Sequence, residues 1–239
     1  MDFNTRIFDQ LMRGLNDDRI KDQNTLNNSL RLLAKWRHTL IQNTIVERNG
    51  TQIMNGPFKG LEYLSGSLEG CYVPKILGSY EQPLHNAISE ACSIENDVII
   101  NIGSAEGYYA AGFAKLNPNT QVEAFDINTA VDKTIAQLLK KNGIENCRFI
   151  GENFTHENFS NYDNKKCLLF IDIEGAEWEL LDLSCAPSLK NMTIIVESHD
   201  CFRKGTTKLL VDRFSSTHLI NIISDNGDRM IENAPEWFS

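Results

Sequence analysis

The chain has 239 residues, of which 41% are hydrophobic and 23% are charged, and its formal net charge is -9 at pH 7. These values are typical of a folded globular protein and argue against a disordered, fibrous or membrane-spanning chain. Nucleic-acid binders generally present a basic face. The acidic balance therefore favours a small-molecule partner, and neither nucleic acid nor a membrane is expected.

The six cysteines are widely spaced and include no Cys-x-x-Cys pair. They indicate neither a zinc site nor a disulfide framework. The first ten residues are polar and charged, which is not typical of a signal peptide. We expect a reduced, cytoplasmic protein.

The first part of the chain, residues 1–65, is predicted to be a helical cap. Apolar residues recur at helical spacing from Leu26 to Ile41, after the candidate N-cap Asn24. We expect this cap to extend a second region, residues 66–239, that contains the sheet.

In the second region, predicted strands and helices alternate. The strands are predicted at 97–102, 121–125, 147–150, 167–171, 192–196 and 218–223. Helices are predicted at 80–92, 105–116, 129–142 and 204–214, with another that ends at Leu181. This alternation predicts an α/β fold with a doubly wound, mostly parallel, Rossmann-like sheet. Ligands bind such sheets at the carboxyl ends of the strands.

The loop after the first strand predicts a nucleotide site. Gly103 and Gly107 allow a ligand to approach the backbone closely, because neither residue has a Cβ. The next strand ends in Asp126, whose carboxylate can accept hydrogen bonds from both hydroxyls of a ribose. The third strand ends in Glu152 and Asn153, where an adenine edge would lie.

The spacing of the glycines distinguishes two classes of cofactor. A dinucleotide site has Gly-x-Gly-x-x-Gly, with helix amides facing a diphosphate. This chain has Gly-x-x-x-Gly with Glu106 inside the loop, where a diphosphate would be repelled. The ammonium and sulfonium of S-adenosylmethionine tolerate acidic surroundings, so the methyl donor is favoured. A glycine turn with no ligand is the alternative.

Two later strands end in ionisable residues. Asp172, Glu174 and Glu177 follow the fourth strand, and Glu197 and His199 follow the fifth. If the sheet places these strands beside the first, the side chains converge at one edge, and such clustering more often marks a site than a core.

The chain resembles the FkbM-type branch of the class I S-adenosylmethionine-dependent methyltransferases over about residues 70–200. The resemblance rests on Asn101-Ile-Gly-Ser-Ala-Glu-Gly-Tyr-Tyr, Phe125-Asp126, Ile171-Asp-Ile-Glu-Gly-Ala-Glu and Gly78-Ser-Tyr80-Glu81. The Asp-x-Glu-Gly-x-Glu element is fairly specific to this branch, whereas the glycine loop is shared across the superfamily. The resemblance implies a seven-stranded sheet and methylation of a hydroxyl on a small molecule or sugar.

By this resemblance, Gly103, Gly107 and Asp126 hold the cofactor, and we expect neighbouring residues to line the site. The full predicted set is Tyr80, Glu81, Asn101, Gly103, Ser104, Glu106, Gly107, Tyr108, Asp126, Ile127, Glu152, Asn153 and Asp172. Class I enzymes usually carry Asp or Glu where this chain has Asn101, which supplies no charge to the methionine ammonium. Glu81 and Glu106 are the candidates to compensate.

An alcohol nucleophile must lose a proton during methyl transfer. A general base contributes on the order of 10²–10⁴ in rate, beyond the positioning of the reactants. His199 is the first candidate because its ordinary pKa lies near neutral pH. Glu174 is the alternative base, and Asp172 belongs to the same catalytic set. The structural alternatives are a hydrogen-bonded histidine and carboxylates at a helix N-terminus.

Asp172, Glu197 and His199 are also candidate ligands of Mg²⁺, which would acidify the substrate hydroxyl. We expect a hydroxylated small molecule as acceptor, and a homodimer stays open. Two other functions also stay open, a nicotinamide-dependent oxidoreductase and a non-catalytic adenosylmethionine-binding protein.

Overall fold

The structure is a computed structural model that describes residues 2–16, 22–66, 71–225, 227, 235 and 237. The chain divides into two compact units, Met1–Thr51 and Gln52–Ser239. Among the described residues, no helix combines the length and the apolar character needed to cross a membrane.

The first unit contains two helices, α1 (Phe3–Leu15) and α2 (Gln23–Asn49). The predicted helix is present as α2, but its N-cap is Asp22 and not Asn24: the Asp22 carboxylate accepts a hydrogen bond from the amide of Thr25 at 2.9 Å. Side chains also join the two helices, since the indole of Trp36 donates to Asn4 at 2.8 Å.

The second unit contains the sheet. Its strands are β1 (Val98–Ile102), β2 (Gln121–Phe125), β3 (Cys147–Ile150), β4 (Cys167–Ile171) and β5 (Thr193–Val196). Its α-helices are α3 (Tyr72–Leu77), α4 (His85–Ser93), α5 (Tyr108–Leu116), α6 (Asp132–Lys141), α7 (Glu177–Leu180) and α8 (Thr206–Phe214). Short 3-10 helices occupy Gln82–Leu84, Thr129–Val131, His156–Tyr162 and Pro187–Asn191.

All five strands are parallel, in the order β3-β2-β1-β4-β5. This is the order of a doubly wound sheet, whose ligand crevice lies where the strand order reverses, here between β1 and β4. Ile102 pairs with both Phe125 and Ile171, so β1, β2 and β4 end level. The loops that follow them therefore begin at the same edge of the sheet, the one formed by the carboxyl ends of the strands.

Apolar side chains cover both faces of the sheet. Val98, Ile100 and Ile102 of β1 belong to a core that also includes α7 and α8 residues. On the opposite face, Phe170 of β4 packs against Tyr109 of α5, with ring centroids 4.1 Å apart. Burial on both faces explains why the parallel strands are almost continuously apolar.

The structure corrects two predictions about the sheet. It has five strands in the described residues, and not the seven that the family resemblance implies. Residues 218–223, predicted as a strand, are irregular, and Leu219 is fully exposed. An apolar run becomes a strand only when a neighbouring strand takes up its backbone hydrogen bonds, and the described part of the chain supplies no such neighbour here.

The segment just before residue 65 packs on the sheet unit. Phe58 makes edge-to-face contacts with Tyr108 and Phe113 of α5, with ring centroids 5.3 and 5.7 Å apart. Tyr63 is fully buried. The unit that contains the sheet therefore begins earlier, at Gln52, than the predicted start at residue 66.

The close approach of β1 and β4 depends on Gly103. A Cβ there would lie 1.7 Å from the backbone oxygen of Asp172, and the residue has φ +78°. Gly143 also has positive φ, +62°, but a Cβ there would meet nothing within 4 Å. We expect Gly143→Ala to lower the free energy of unfolding by about 1–2 kcal/mol, which is the cost of the left-handed backbone alone.

Gly103→Ala should cost at least about 2 kcal/mol more than this control, because backbone must also move. Urea unfolding of both variants, extrapolated to water, measures the difference. Equal losses would show that the ends of β1 and β4 separate easily.

Candidate cofactor and catalytic site

The loop after β1 is attached to the end of β2. The amides of Gly103 and Ser104 donate to the carbonyl of Phe125 at 2.9 and 3.0 Å. Beyond them, the amide of Ala105 donates to Oδ2 of Asp126 at 2.8 Å, while Asp126 Oδ1 accepts from the amide of Asn128 at 2.7 Å. Each carboxylate oxygen retains acceptor capacity. Asp126 thus stands at the edge where the sequence predicts a ribose acceptor.

Exposed side chains follow Asp126 along this edge. Ile127 is 75% exposed, although it is apolar. Glu152 and Asn153, at the end of β3, are exposed as well. An apolar side chain beside exposed polar groups is what a purine ring would require, since it has an apolar face and a polar edge.

Two buried side chains beneath the loop lack hydrogen-bond partners. Asn101 has no exposed surface, and both its Oδ1 and its Nδ2 are unpaired in the described structure. Ser104 is 4% exposed, and its Oγ is unpaired too. Each such group costs about 1–3 kcal/mol when left unsatisfied. Native proteins rarely retain groups of this kind without a ligand or water to bind them.

Glu106 supports the loop from within. It is fully buried, and its Oε1 accepts from the hydroxyl of Tyr63 at 2.7 Å and from the ammonium of Lys75 at 2.8 Å. Its charge is therefore balanced inside the protein, which makes it a poor substitute for the acid missing at Asn101. Sequence reasoning missed Lys75, although a lysine inside the apolar run of α3 implies a buried partner.

Two tyrosines of the predicted site, Tyr80 and Tyr108, contact the ammonium of Lys75. Its Nζ lies 4.9 Å from the ring centre of Tyr80 and 5.5 Å from that of Tyr108, in cation–π geometry. The hydroxyl of Tyr109 donates to Oε2 of Glu81. Burial, followed by the charge of Glu81, raises the pKa of the Tyr109 hydroxyl well above its ordinary value. Tyr109 therefore stays a hydrogen-bond donor to that carboxylate.

The loops after β4 and β5 meet at His199, on the edge where the sequence predicts that five ionisable side chains converge. Its Nδ1 lies 2.7 Å from Oε1 of Glu177. The other ring nitrogen, Nε2, lies 3.5 Å from Asp172 and 3.8 Å from Glu197. Glu174 is not part of this cluster of contacts: it is exposed, and the described residues give it no hydrogen bond or ion pair.

This edge holds more negative charge than its surroundings stabilise. Burial, followed by the charges of Glu197 and Glu81, raises the pKa of Asp172 to about 7. Burial and Glu81 also raise the pKa of Glu197. Burial alone would lower the pKa of His199. The hydrogen bond and charge of Glu177, together with Glu197 and Asp172, outweigh burial and raise it above the ordinary 6.5.

Backbone strain occurs in the same loops. Glu81, Ala105 and Glu174 have φ values of 47°, 44° and 51°, which place non-glycine residues in the left-handed region. Such conformations cost about 1–3 kcal/mol each and cluster at ligand sites. Glu81 directly follows Tyr80, Ala105 directly follows Ser104, and Glu174 lies two residues after Asp172.

The same edge has the geometry of a cation site. One ligand atom each from Asp172, Glu197 and His199 lie within 4.8 Å of one another. Mg²⁺ prefers a shell of oxygens, whereas imidazole suits transition metals. The donor set therefore does not favour the predicted Mg²⁺, and exposed acidic groups are common without any ion.

Comparison with known proteins gives matches in structure alone. No family model and no curated protein matches the chain. An rRNA methylase from Streptococcus thermophilus is 18% identical, with a TM-score of 0.32, over 55% of this chain and 64% of that one. A SAM-dependent O-methyltransferase from Thermotoga maritima is 14% identical, with a TM-score of 0.42, over 57% of this chain and 49% of that one.

A third match is SMU.1697c from Streptococcus mutans, named as a methyltransferase and solved in complex with SAH. It is 12% identical, with a TM-score of 0.42, over 62% of this chain and 93% of that one. The chain spans less than two thirds of the length of the first two proteins. Similarity this low assigns no activity to the chain, and the FkbM branch stays a prediction.

The raised pKa of Asp172 has a measurable effect on stability. Between the ordinary value of 3.8 and about 7, the Asp172 carboxyl is protonated to a greater extent in the folded protein than in the unfolded chain. The contribution of Asp172 to the free energy of unfolding therefore falls as the pH rises through that window. Asp172→Asn removes this loss, so we expect the variant to exceed the wild type by about 1–3 kcal/mol at pH 8, with the gain vanishing near pH 4.

Urea unfolding at the two pH values measures the difference. Glu145→Gln, at an exposed residue, is the control and should change little. If Asp172→Asn were less stable than the wild type at pH 8, the carboxylate would be stabilised in the fold, contrary to the raised pKa.

Proposed function

We propose that the chain is a class I S-adenosylmethionine-dependent methyltransferase that methylates a hydroxyl of a small molecule or sugar. One observation carries the proposal. Beneath a glycine loop attached to Asp126, the buried side chains of Asn101 and Ser104 present polar atoms with no partner in the described structure. These groups lie at the switch point of a doubly wound sheet, where nucleotides bind.

The residues at this edge fit the parts of S-adenosylmethionine. Asp126 would accept from the ribose, and Ile127 with Asn153 would contact the adenine. Asn101 and Ser104 would bind the polar methionine end. When bound, the cofactor supplies a methyl group already activated by its sulfonium. The protein's own part is then to orient the acceptor and to remove its proton.

Charge argues for this cofactor over a nicotinamide dinucleotide. The loops at 103–107, 126–128, 151–155 and 172–176 contain five carboxylates and no lysine or arginine. Lys75 neutralises one of the five, Glu106, from outside these loops, which leaves four. A diphosphate would enter that field without a cation to balance it. A sulfonium and an ammonium would be attracted to it.

His199 is the base that the geometry supports best. Its Nδ1 is bonded to Glu177, which leaves Nε2 at the edge to accept the proton of the acceptor hydroxyl. Asp172, with its raised pKa, is the second candidate. The described residues give the exposed Glu174 no hydrogen bond or ion pair that would orient it, so it ranks below both.

The same edge constrains the acceptor. Asp172 and Glu197 would repel an anionic group, which supports a neutral or cationic molecule with hydroxyls to donate. Phe202 is 64% exposed, and its ring centre lies 5.6 Å from that of His199. It would offer an apolar face to a sugar or aromatic ring beside the base. Cytoplasmic location and a homodimer also stay predictions.

Cofactor binding is tested by calorimetry with S-adenosylhomocysteine. We expect the wild type to bind and Asp126→Asn to bind at least about tenfold more weakly, because a charged acceptor for the ribose is lost. Asp132→Asn, at an exposed position at the start of α6, is the control and should bind like the wild type. Binding of NADH in place of S-adenosylhomocysteine would overturn the proposal.

Catalysis is tested by adenosylhomocysteine formation with a panel of neutral sugars and phenols. His199→Asn keeps a donor toward Glu177 but has no group at the position of Nε2. We expect it to lower kcat by about 10²–10⁴, with unchanged affinity for adenosylhomocysteine. Because the pKa of His199 is raised, wild-type kcat should still increase with pH beyond the ordinary value of 6.5, as Nε2 loses its proton.

Glu174→Gln is the matched control and should keep kcat within about threefold of the wild type. A large loss in this variant would make Glu174 the base. Cofactor binding without turnover of any hydroxyl acceptor would favour a non-catalytic adenosylmethionine-binding protein.

A further inference from the structure

Glu177 is a buried carboxylate for which the proposed reaction has not yet required a role. It has no exposed surface, and two backbone amides and one histidine nitrogen converge on its Oε1. They are the amides of Ile173 at 3.4 Å and Gly175 at 3.2 Å, and Nδ1 of His199 at 2.7 Å. A buried carboxylate is costly unless it is paired and hydrogen-bonded. In the described structure Oε2 is buried without a partner, so the contacts of Oε1 carry all of the compensation.

A role in helix capping explains only part of this arrangement. Glu177 opens α7, but that helix has four residues, and a dipole so short stabilises a carboxylate weakly. The amides of Ile173 and Gly175 belong to the loop that leads into α7. Nδ1 of His199 is different, because it comes from the loop after β5, 22 residues along the chain. The shortest of the three bonds therefore joins two loops.

We propose that Glu177 is a positioning residue for His199: it holds the proton on Nδ1 and leaves Nε2 as the acceptor that faces the substrate. This inference rests on the proposed function. A neutral imidazole carries one proton, and the hydrogen bond at one nitrogen decides which nitrogen that is. A carboxylate at Nδ1 can only accept, so it selects the Nδ1–H tautomer. It also stabilises the imidazolium that forms when Nε2 takes a proton.

The other groups around His199 act on Nε2 and cannot replace Glu177. Asp172 and Glu197 approach that nitrogen at 3.5 and 3.8 Å, longer than hydrogen bonds. Phe202 contacts the ring but is neutral. Each of the two carboxylates on its own would favour a proton on Nε2, which would block the base. Glu177, with the shorter and better buried contact, opposes them.

The test uses ¹⁵N NMR of the histidine side chains in the full chain, with His199→Asn to assign the signals. At a pH above the titration of His199, we expect the wild type to show Nδ1 protonated and Nε2 free. Glu177→Gln should lose this preference, because an amide can present either its oxygen or its NH₂ to the ring. Glu179→Gln is the control: it changes an exposed carboxylate on the same helix and should leave the tautomer unchanged.

Kinetics supply the second readout. Glu177→Gln should lower kcat at least about tenfold, with KM for the acceptor and affinity for adenosylhomocysteine within about threefold of the wild type. A residue that only held the fold together would change all three. Glu179→Gln should change none.

If neutral His199 of the wild type carried its proton on Nε2 and not on Nδ1, the inference would be overturned, even if Glu177→Gln failed to fold. An unchanged tautomer in Glu177→Gln would also overturn it. If the tautomer follows the prediction but no acceptor is methylated by any variant, Glu177 still positions His199 and the proposed function is what fails.

Discussion

The contact between Gly103 and the backbone of Asp172 brings the two halves of the candidate site together. Since the glycine has no Cβ, the turn after β1 lies directly against the turn after β4. One turn leads to Asn101, Ser104 and the bonds to Asp126, and the other begins the carboxylate cluster at His199. A wider gap between them would separate a ligand held by the first turn from a base held by the second. The proposed reaction therefore depends on the absence of a Cβ at Gly103.

Charge is distributed unevenly between the interior and the edge. Inside, Glu106 is matched by Lys75, and both are almost fully buried. At the edge, the described residues give Asp172 and Glu197 no lysine or arginine partner, and the raised pKa values of both carboxyls follow from this imbalance. Repulsion between like charges lowers the stability of the fold, and ligand sites commonly have this cost. A cationic ligand would relieve the repulsion that the fold leaves in place.

Local patterns in the sequence predicted the parts of the site that depend on neighbours along the chain. Gly103, Asp126 and the Asp172 cluster follow strands, so the alternation of strands and helices was enough to place them at one edge. Contacts between distant residues were not predictable in this way. The Lys75–Glu106 pair and the Glu177–His199 bond each join segments that no periodicity relates. The strand at 218–223 failed for the same reason, because its apolar pattern specifies no pairing partner.

The buried pair of Lys75 and Glu106 also limits how this chain can diverge. Loss of either charge alone would leave the other buried without a counter-ion, which costs about 3–5 kcal/mol, a large fraction of the stability of most domains. The residues at these two positions, 31 apart in the sequence, should therefore co-vary. Relatives of this chain are expected to keep both charges or to replace both with neutral residues. The glycine loop, which contains Glu106, would then be conserved together with α3, which contains Lys75 but contributes no residue to the proposed reaction.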